Sequence, residues 1–108
     1  MDATQRLAHP ERDEIEITSV LFALSDPARL SLVRELADGP LDMAECSVLD
    51  PSMPKSTRSH LMKVLRESGV IRNEPNGRRR TVSLRRDDLD ARFPGLVGSV
   101  LDAASRPD

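Results

Sequence analysis

The 108-residue sequence predicts a mainly α-helical domain that carries one small β-hairpin. Three observations predict this class. Apolar residues recur at intervals of three and four along much of the chain, which is the period of an amphipathic helix. Aromatic residues make up only 2% of the sequence, so the core must be aliphatic, and this suits packed helices. Around Asn76-Gly77 the pattern changes to strict alternation, which is typical of two strands joined by a tight turn.

The first two helices are predicted from apolar spacing and from residues that favour helix ends. A first helix is expected at about 13–24, with an apolar stripe made of Ile17, Val20, Leu21 and Leu24. The stretch SDPARLSLVRELADG predicts a second helix, because Asp26 can cap the first amides, Pro27 fits the first helical position and Gly39 can close the end. The residues expected to face the core are Leu30, Val33, Leu36 and Ala37.

A short third helix is expected at about 42–48, followed by a turn and a fourth helix. The fourth helix covers PKSTRSHLMKVLRESG, residues 54–69, and Gly69 ends it. Its core-facing residues are expected to be Leu61, Val64 and Leu65. Short hydroxyls and cations crowd its first turn and a half, which is unusual for a helix that only packs against a core.

The hairpin and a last helix complete the predicted order α-α-α-α-β-β-α. Val70 and Ile71 open the first strand, and Asn76-Gly77 supplies the positive φ angles of the turn. On the return strand Arg80, Val82 and Leu84 alternate with Arg79, Thr81 and Ser83. The last helix begins at Asp87 or Asp88, with a break predicted at Pro94-Gly95. The whole chain is expected to be one domain, with residues 1–12 as a loose N-terminal segment.

Charge is distributed unevenly along the chain, although the total is only −2. Residues 1–53 carry a net charge of −7, whereas residues 54–92 carry +6. This basic block coincides with the fourth helix and the hairpin, which indicates a site for a polyanion. No apolar run approaches the roughly 20 residues of a membrane span, and the acidic first residues do not resemble a signal peptide. The single cysteine, Cys46, favours a reducing, cytoplasmic location.

A short helix, a turn, a second helix and a hairpin are, in this order, the elements of a winged helix-turn-helix. The fourth helix is therefore expected to enter a DNA major groove, where Arg58 can read a guanine edge and short hydroxyls allow close approach. The hairpin tip would lie on a phosphate ridge or in the minor groove. The predicted DNA-binding residues are Lys55, Ser56, Thr57, Arg58, Ser59, His60, Lys63, Asn76, Arg78, Arg79 and Arg80.

The stretches LFALSDPARLSLVRELADGPL, KSTRSHLMKVLRESGVI and NGRRRTVSL together resemble the ArsR/SmtB-type winged-helix repressors of bacteria. The resemblance spans roughly residues 15–85. It implies a homodimer that represses transcription from a palindromic operator until an inducer, which the sequence does not identify, releases it. It also implies that the helices at 13–24 and 88–104 form the dimer interface. The residues expected there are Ile17, Val20, Leu21, Leu24, Leu96, Val97, Val100 and Leu101.

Many members of this family bind metals, but the ligand patterns are missing from this sequence. One family site uses a Cys-x-Cys pair, and the corresponding residues here are Asp42 and Ala44, with Cys46 two residues further on. Another uses Asp and His on the last helix, which contains no histidine. We therefore expect no metal site and no cofactor. Cys46 is interpreted as a small buried residue, with redox sensing as the alternative.

Two other functions were weighed against DNA binding. A winged helix can also serve as a protein-interaction module that binds no DNA, because the fold alone does not fix the partner. Three consecutive arginines in the hairpin favour nucleic acid over such a module. A hydrolase using Ser56 or Ser59 with His60 is rejected, since the neighbouring residues Ser59 and His60 point in different directions on a helix.

Overall fold

The structure, a computed structural model, describes residues 6–45 and 51–105. Within these ranges the chain forms five α-helices and a three-stranded antiparallel sheet. The helices are α1 (Ile17–Leu24), α2 (Pro27–Leu36), α3 (Lys55–Glu67), α4 (Arg86–Arg92) and α5 (Leu96–Ser105). The strands are β1 (Leu41–Asp42), β2 (Ile71–Asn76) and β3 (Arg79–Leu84). The predicted class, mainly α with a small hairpin, is confirmed. None of the helices in the described ranges combines the length and the apolar character needed to span a membrane.

Helices α2 and α3 form where the sequence predicted them, because their ends are encoded locally. Asp26 Oδ2 accepts a hydrogen bond from the Arg29 amide at 3.0 Å, and Pro27 occupies the first turn of α2. At the C-terminal end of α3, the Gly69 amide donates to the Arg66 carbonyl and the Val70 amide donates to the Leu65 carbonyl. This pair of bonds is a Schellman motif, which places its glycine in the left-handed region, and Gly69 has φ +86°.

The first helix is shorter than the predicted 13–24. Residues Arg12–Glu14 form a separate 3-10 turn, closed where the Glu14 amide donates to the Glu11 carbonyl and the Glu14 carboxylate accepts from the Glu11 amide. Ile15 then adopts an extended conformation and inserts into the core with 1% of its surface exposed. Because Ile15 must leave the helical path to reach the core, α1 begins only at Ile17.

The predicted third helix at 42–48 is not an α-helix where the structure describes it. Leu41 and Asp42 form β1 and pair with Val82 and Thr81 of β3. Asp42 Oδ1 then accepts from the Ala44 amide at 2.9 Å, which starts a 3-10 turn at Met43–Glu45. Pairing with β3 satisfies backbone groups of Leu41 and Asp42 that would otherwise form the hydrogen bonds of a helix. The rest of the prediction, including Cys46, lies outside the described residues.

The hairpin gains β1 as a third strand, so β3 lies in the centre of the sheet with the order β1-β3-β2. Asn76 pairs with Arg79, which leaves Gly77 and Arg78 as a two-residue loop. Gly77 has φ +63°. A positive φ was also predicted for Asn76, but Asn76 does not have one. A glycine at the first position of a two-residue loop is typical of a type II′ turn. We call β2, this loop and β3 the wing.

The core is aliphatic, as the composition predicted, and it joins α1, α2, α3, the sheet, α4 and, through Val97, α5. Four of the residues expected to face inward, Val33, Leu36, Leu61 and Leu65, are buried. Leu30 and Val64 are half-buried, and Ala37 is exposed because it follows the last turn of α2. The last helix divides into α4 and α5 at Pro94-Gly95, where Gly95 has φ +83°, as predicted.

Residues 6–15, which we call the N-terminal strap, are held against the domain. The loose segment predicted for residues 1–12 is therefore wrong for residues 6–12, and residues 1–5 lie outside the described part. Three arginine side chains bind the strap: Arg66 donates to the Ala8 carbonyl, Arg85 Nη1 to the Pro10 carbonyl at 2.7 Å and Arg92 Nη2 to the Ile15 carbonyl at 2.6 Å. These partners lie more than 50 residues away in sequence, so no local pattern could reveal them.

Candidate nucleic-acid interface

One face of α3 is polar and exposed along its first three turns. Leu61, Met62 and Leu65 cover the opposite face and are buried. The exposed side chains of these turns are those of Lys55, Ser56, Thr57, Ser59, His60 and Lys63. Short hydroxyls at the front of a helix let the backbone approach a ligand closely, and the helix N-terminus adds partial positive charge. The face can therefore bind an anionic surface.

Arg58 differs from its neighbours because its side chain is half-buried. Together with Met43, Ala44, Met53, Lys55 and Ser59 it lines a cavity of about 530 Å³ between α3 and the 3-10 turn at Met43–Glu45. The Nε atom of its guanidinium is buried, so the side chain is turned toward this cavity. To read a guanine, as predicted, this guanidinium has to point outward in a complex with DNA.

The three consecutive arginines of the wing, Arg78, Arg79 and Arg80, have different environments. Arg78 lies at the tip and is exposed. Arg79 Nη1 pairs with Asp42 Oδ2 at 3.2 Å, while 72% of its side chain stays exposed. Arg80 is half-buried, because its Nε donates to Asn73 Oδ1 at 2.7 Å and its Nη2 donates to the Asn73 carbonyl at 3.0 Å. The sequence analysis assigned all three to DNA contact at the hairpin tip, but the Arg80 side chain is hydrogen-bonded within the wing. Asn76 also makes an internal bond, from Nδ2 to Thr81 Oγ1.

The polar face of α3 and the base of the wing are joined into one surface. Ser59 and Lys63 of α3 line a cavity of about 220 Å³ together with Met43 and Asn73. Asn73 Nδ2 also contacts Met43 Sδ at 3.6 Å. Met43 follows Asp42, which is the partner of Arg79. Side chains of the polar face of α3 therefore border the base of the wing.

A buried carboxylate fixes the base of this surface. Asp88, with 9% of its side chain exposed, binds Arg12 at 2.7 Å and both Arg72 and Arg85 at 2.9 Å. Burial acts to raise the pKa of Asp88, but the hydrogen bonds from Arg12 and Arg85 and the charges of Arg85 and Arg72 outweigh it and lower that pKa. The group thereby ties the strap, β2 and the start of α4 together.

The residues predicted for the dimer interface divide into three groups. Ile17 and Leu21 of α1 are 45% and 47% exposed. Val20, Leu24 and Val97 lie in the core of the chain itself, so they are not available to a partner. On α1 the predicted stripe is therefore divided between the core and the exposed surface, and on α5 Val97 packs into the core. Leu96, Val100 and Leu101 of α5 are half-buried.

Phe22 was missed by the sequence analysis and is the most exposed large apolar residue described, at 61%. It lines a cavity of about 360 Å³ with Thr18 and Ser19 of α1 and with residues at the end of α3, and the Arg29 guanidinium lies 5.0 Å from its ring centroid. The sequence did contain a signal for Phe22. The chain has only two phenylalanines, and this one directly follows Leu21 of the predicted apolar stripe.

Residues 6–45 and 51–105 contain no cluster of three or more His, Cys, Asp or Glu side chains able to hold a metal ion. The two histidines lie in different environments. His60 lies on the exposed face of α3, whereas His9 is half-buried in the strap and is hydrogen-bonded to β2.

Two curated relatives are similar in sequence, and no family model matches the chain. An uncharacterized HTH-type transcriptional regulator, YceK of Bacillus subtilis (strain 168), is 29% identical over 94 residues, covering 81% of this chain and 89% of the relative. The HTH-type transcriptional regulator NmtR of Mycobacterium tuberculosis (strain ATCC 25618 / H37Rv) is 36% identical over 72 residues, covering 64% of this chain and 57% of NmtR.

Two solved structures are similar in fold. The ArsR family transcriptional regulator RHA00566 superposes with a TM-score of 0.63 at 23% identity, covering 93% of this chain and 100% of that one. The transcriptional repressor BigR from Xylella fastidiosa gives a TM-score of 0.55 at 27% identity, covering 71% of this chain and 85% of that one.

Proposed function

We propose that this chain, which is similar to ArsR-type winged helix-turn-helix transcriptional regulators, acts as a homodimeric repressor on a palindromic DNA site. The predicted family resemblance, the winged helix-turn-helix fold and the assignment to regulators rather than enzymes are confirmed by the relatives described above. The repressor role, the homodimer and the operator are our proposals. The observation that supports them best is the continuous surface of α3 and the wing.

In this proposal the exposed face of α3 lies in the major groove. Ser59, His60 and Lys63 are placed to contact base edges, since their side chains are exposed and lie between the second and third turns of the helix. Lys55, Ser56 and Thr57 precede them and contact the flanking phosphates. Arg58 retains its predicted contact with a guanine at the edge of this face.

The wing supplies phosphate contacts from its tip. Arg78 and Arg79 are the exposed cations there, and Asp42 orients Arg79 without covering it. Arg80 shapes the wing from within through Asn73. Because phosphate contacts carry no base information, the tip adds affinity and fixes register, while α3 provides the discrimination.

A second copy of the chain is proposed to cover the exposed apolar residues of α1 and the half-buried face of α5. Ile17, Leu21 and Phe22 are large apolar side chains that solvent reaches in the isolated chain. Burying them removes apolar area from water, which drives association. A two-fold axis would place the two α3 helices about one DNA turn, ~34 Å, apart, and would require a palindromic site.

Duplex selection from a random pool, followed by affinity measurements across a salt series, tests the proposal. We expect enrichment of an inverted repeat and an affinity that falls steeply as salt rises. Arg86→Ala is the matched control, because Arg86 is an exposed arginine that pairs with Asp90 on α4, outside the proposed surface. Affinity that is absent or independent of salt would favour the protein-interaction module instead.

A further inference from the structure

The N-terminal strap is attached to the edge of the wing through His9. The Asn73 amide, on edge strand β2, donates to His9 Nε2 at 3.0 Å. His9 Nδ1 lies 2.9 Å from the Leu7 carbonyl oxygen. Both ring nitrogens are thus used by backbone groups whose roles as donor and acceptor are fixed.

These contacts specify one protonation state of the ring. A carbonyl can only accept, so Nδ1 must carry the proton, and an amide can only donate, so Nε2 must be bare. The ring is therefore the neutral Nδ1–H form. A second proton on Nε2 would point at the Asn73 N–H, and this arrangement of two donors cannot persist at hydrogen-bond distance. His9 can become charged only if the strap separates from β2.

Asn73 links the strap to Arg80 of the wing. It is buried, with 5% of its surface exposed. Its main chain holds His9 while its side-chain oxygen and carbonyl oxygen hold the Nε and Nη2 of Arg80. Its Nδ2 contacts Met43 Sδ beside α3. A displacement of the β2 backbone at Asn73 is therefore transmitted to Arg80 and to the junction between wing and α3.

We propose that His9 and Asn73 are positioning residues for the wing, and that protonation of His9 releases the strap and weakens DNA binding. The effect on DNA rests on the function proposed above, whereas the release of the strap does not. No residue of the strap needs to touch DNA in this arrangement. The strap acts by covering the β2 edge and holding Asn73 where it orients Arg80.

The charged groups around His9 favour its neutral form. Arg66 of α3 and Arg85, which precedes α4, both bind carbonyls of the strap next to His9, while Glu74 of β2 and Arg6 border the same cavity. Burial lowers the pKa of His9 most, the hydrogen bond to Leu7 and the charge of Glu74 raise it, Arg66 and Arg85 lower it, and the balance is a lowered pKa.

The sign of the pH dependence follows from that direction. A released strap exposes His9, which then titrates near its ordinary value of 6.5. Because the contacts of the bound strap oppose protonation of His9, the released state binds more protons below about pH 6.5. The stability that neutral His9 gives to the attached strap is fully present above that pH and is lost as the pH falls below it.

The test combines an NMR titration of the uniformly labelled protein with DNA affinities between about pH 5.5 and 8. The matched variant is His9→Gln, because a glutamine oxygen can accept from the Asn73 amide at every pH and does not titrate. Both proteins keep His60, so its contribution is the same in each. We expect the affinity of the wild type to fall relative to His9→Gln by about three- to tenfold toward low pH, which is the worth of one hydrogen bond.

Asn73→Ala separates the two halves of the proposal, since it keeps the backbone amide and removes the side-chain oxygen. In this variant the strap should still titrate with His9, but DNA affinity should no longer follow that titration. Parallel pH profiles of wild type and His9→Gln, or an Asn73 amide signal that ignores the His9 titration, would overturn the proposal. Failure of every variant to bind DNA, with the Asn73 signal following His9, would contradict the proposed function and leave the strap attachment supported.

Discussion

Replacing Gly69 by alanine should destabilise the protein more than any other glycine substitution at a left-handed position. Gly69 ends α3 with φ +86°, a conformation that disfavours a Cβ by roughly 1–2 kcal/mol. The added Cβ would also lie 2.6 Å from Cγ1 and 2.8 Å from Cδ1 of Ile15. Ile15 is 1% exposed and cannot swing aside, so overpacking adds about 1–3 kcal/mol. The total loss in the free energy of unfolding is about 2–5 kcal/mol.

Urea denaturation measures this loss, and Gly77→Ala is the matched control. Gly77 has a similar φ of +63°, but a Cβ there would meet no atom within 4 Å. Its substitution should therefore cost only the conformational part, about 1–2 kcal/mol. Both changes replace glycine by alanine, so the effect on the unfolded chain is similar. The difference between them isolates the contact with Ile15.

A double-mutant cycle with Ile15→Ala identifies the origin of that difference. Ile15→Ala alone should cost about 2–5 kcal/mol, because it empties a buried site. It also removes every Ile15 atom that a Cβ at residue 69 would meet. The double variant should thus be about 1–3 kcal/mol more stable than the sum of the single losses predicts. Strict additivity, or equal losses for Gly69→Ala and Gly77→Ala, would refute the reasoning.

Three further predictions concern the wing, the dimer and the buried carboxylate. Arg78→Ala should reduce the slope of log affinity against log salt by about 1, because one phosphate contact is lost, and Arg86→Ala should leave the slope unchanged. Leu21→Glu should convert dimers to monomers in light scattering, since a charge cannot be buried in the proposed apolar contact; Asp90→Lys serves as the control, and a surviving dimer would place the interface elsewhere. Asp88→Asn should lower the free energy of unfolding by about 3–5 kcal/mol, because it leaves buried Arg85 without its counter-charge. Asp90→Asn, in an exposed pair, should cost at most about 1 kcal/mol. The lowered pKa of Asp88 stabilises the native state above its ordinary value of 3.8, so the gap between wild type and Asp88→Asn should shrink as pH falls below that value.

The elements that the sequence predicted well are those whose ends are encoded locally. Asp26, Pro27 and Gly69 act within a few residues of the helix ends that they specify. The errors occur where distant parts of the chain compete with local preference. Leu41 and Asp42 become a strand because β3, forty residues later, supplies their partners. Ile15 leaves its helix because a core position beside Gly69 is open to it.

The candidate site shows the same division between residue type and residue environment. The crowded polar start of α3 was evident from composition alone, and all but one of its predicted side chains are exposed. The commitment of Arg80 to Asn73 was not predicted. The alternation of Arg80 with Val82 and Leu84 placed it on the core side of β3, and that parity was the signal that could have separated it from Arg79.

Strand parity also limits how an arginine-rich wing can change by insertion or deletion. Arg79 and Arg80 are neighbours, yet one faces solvent and the other holds the protein together. A single extra residue in the Gly77-Arg78 loop that shifted β3 against β2 would exchange their places and turn Val82 outward. Two-residue insertions would lengthen the reach of the wing and keep this arrangement. Loop length in such wings should therefore vary in steps of two wherever an internal arginine performs the task of Arg80.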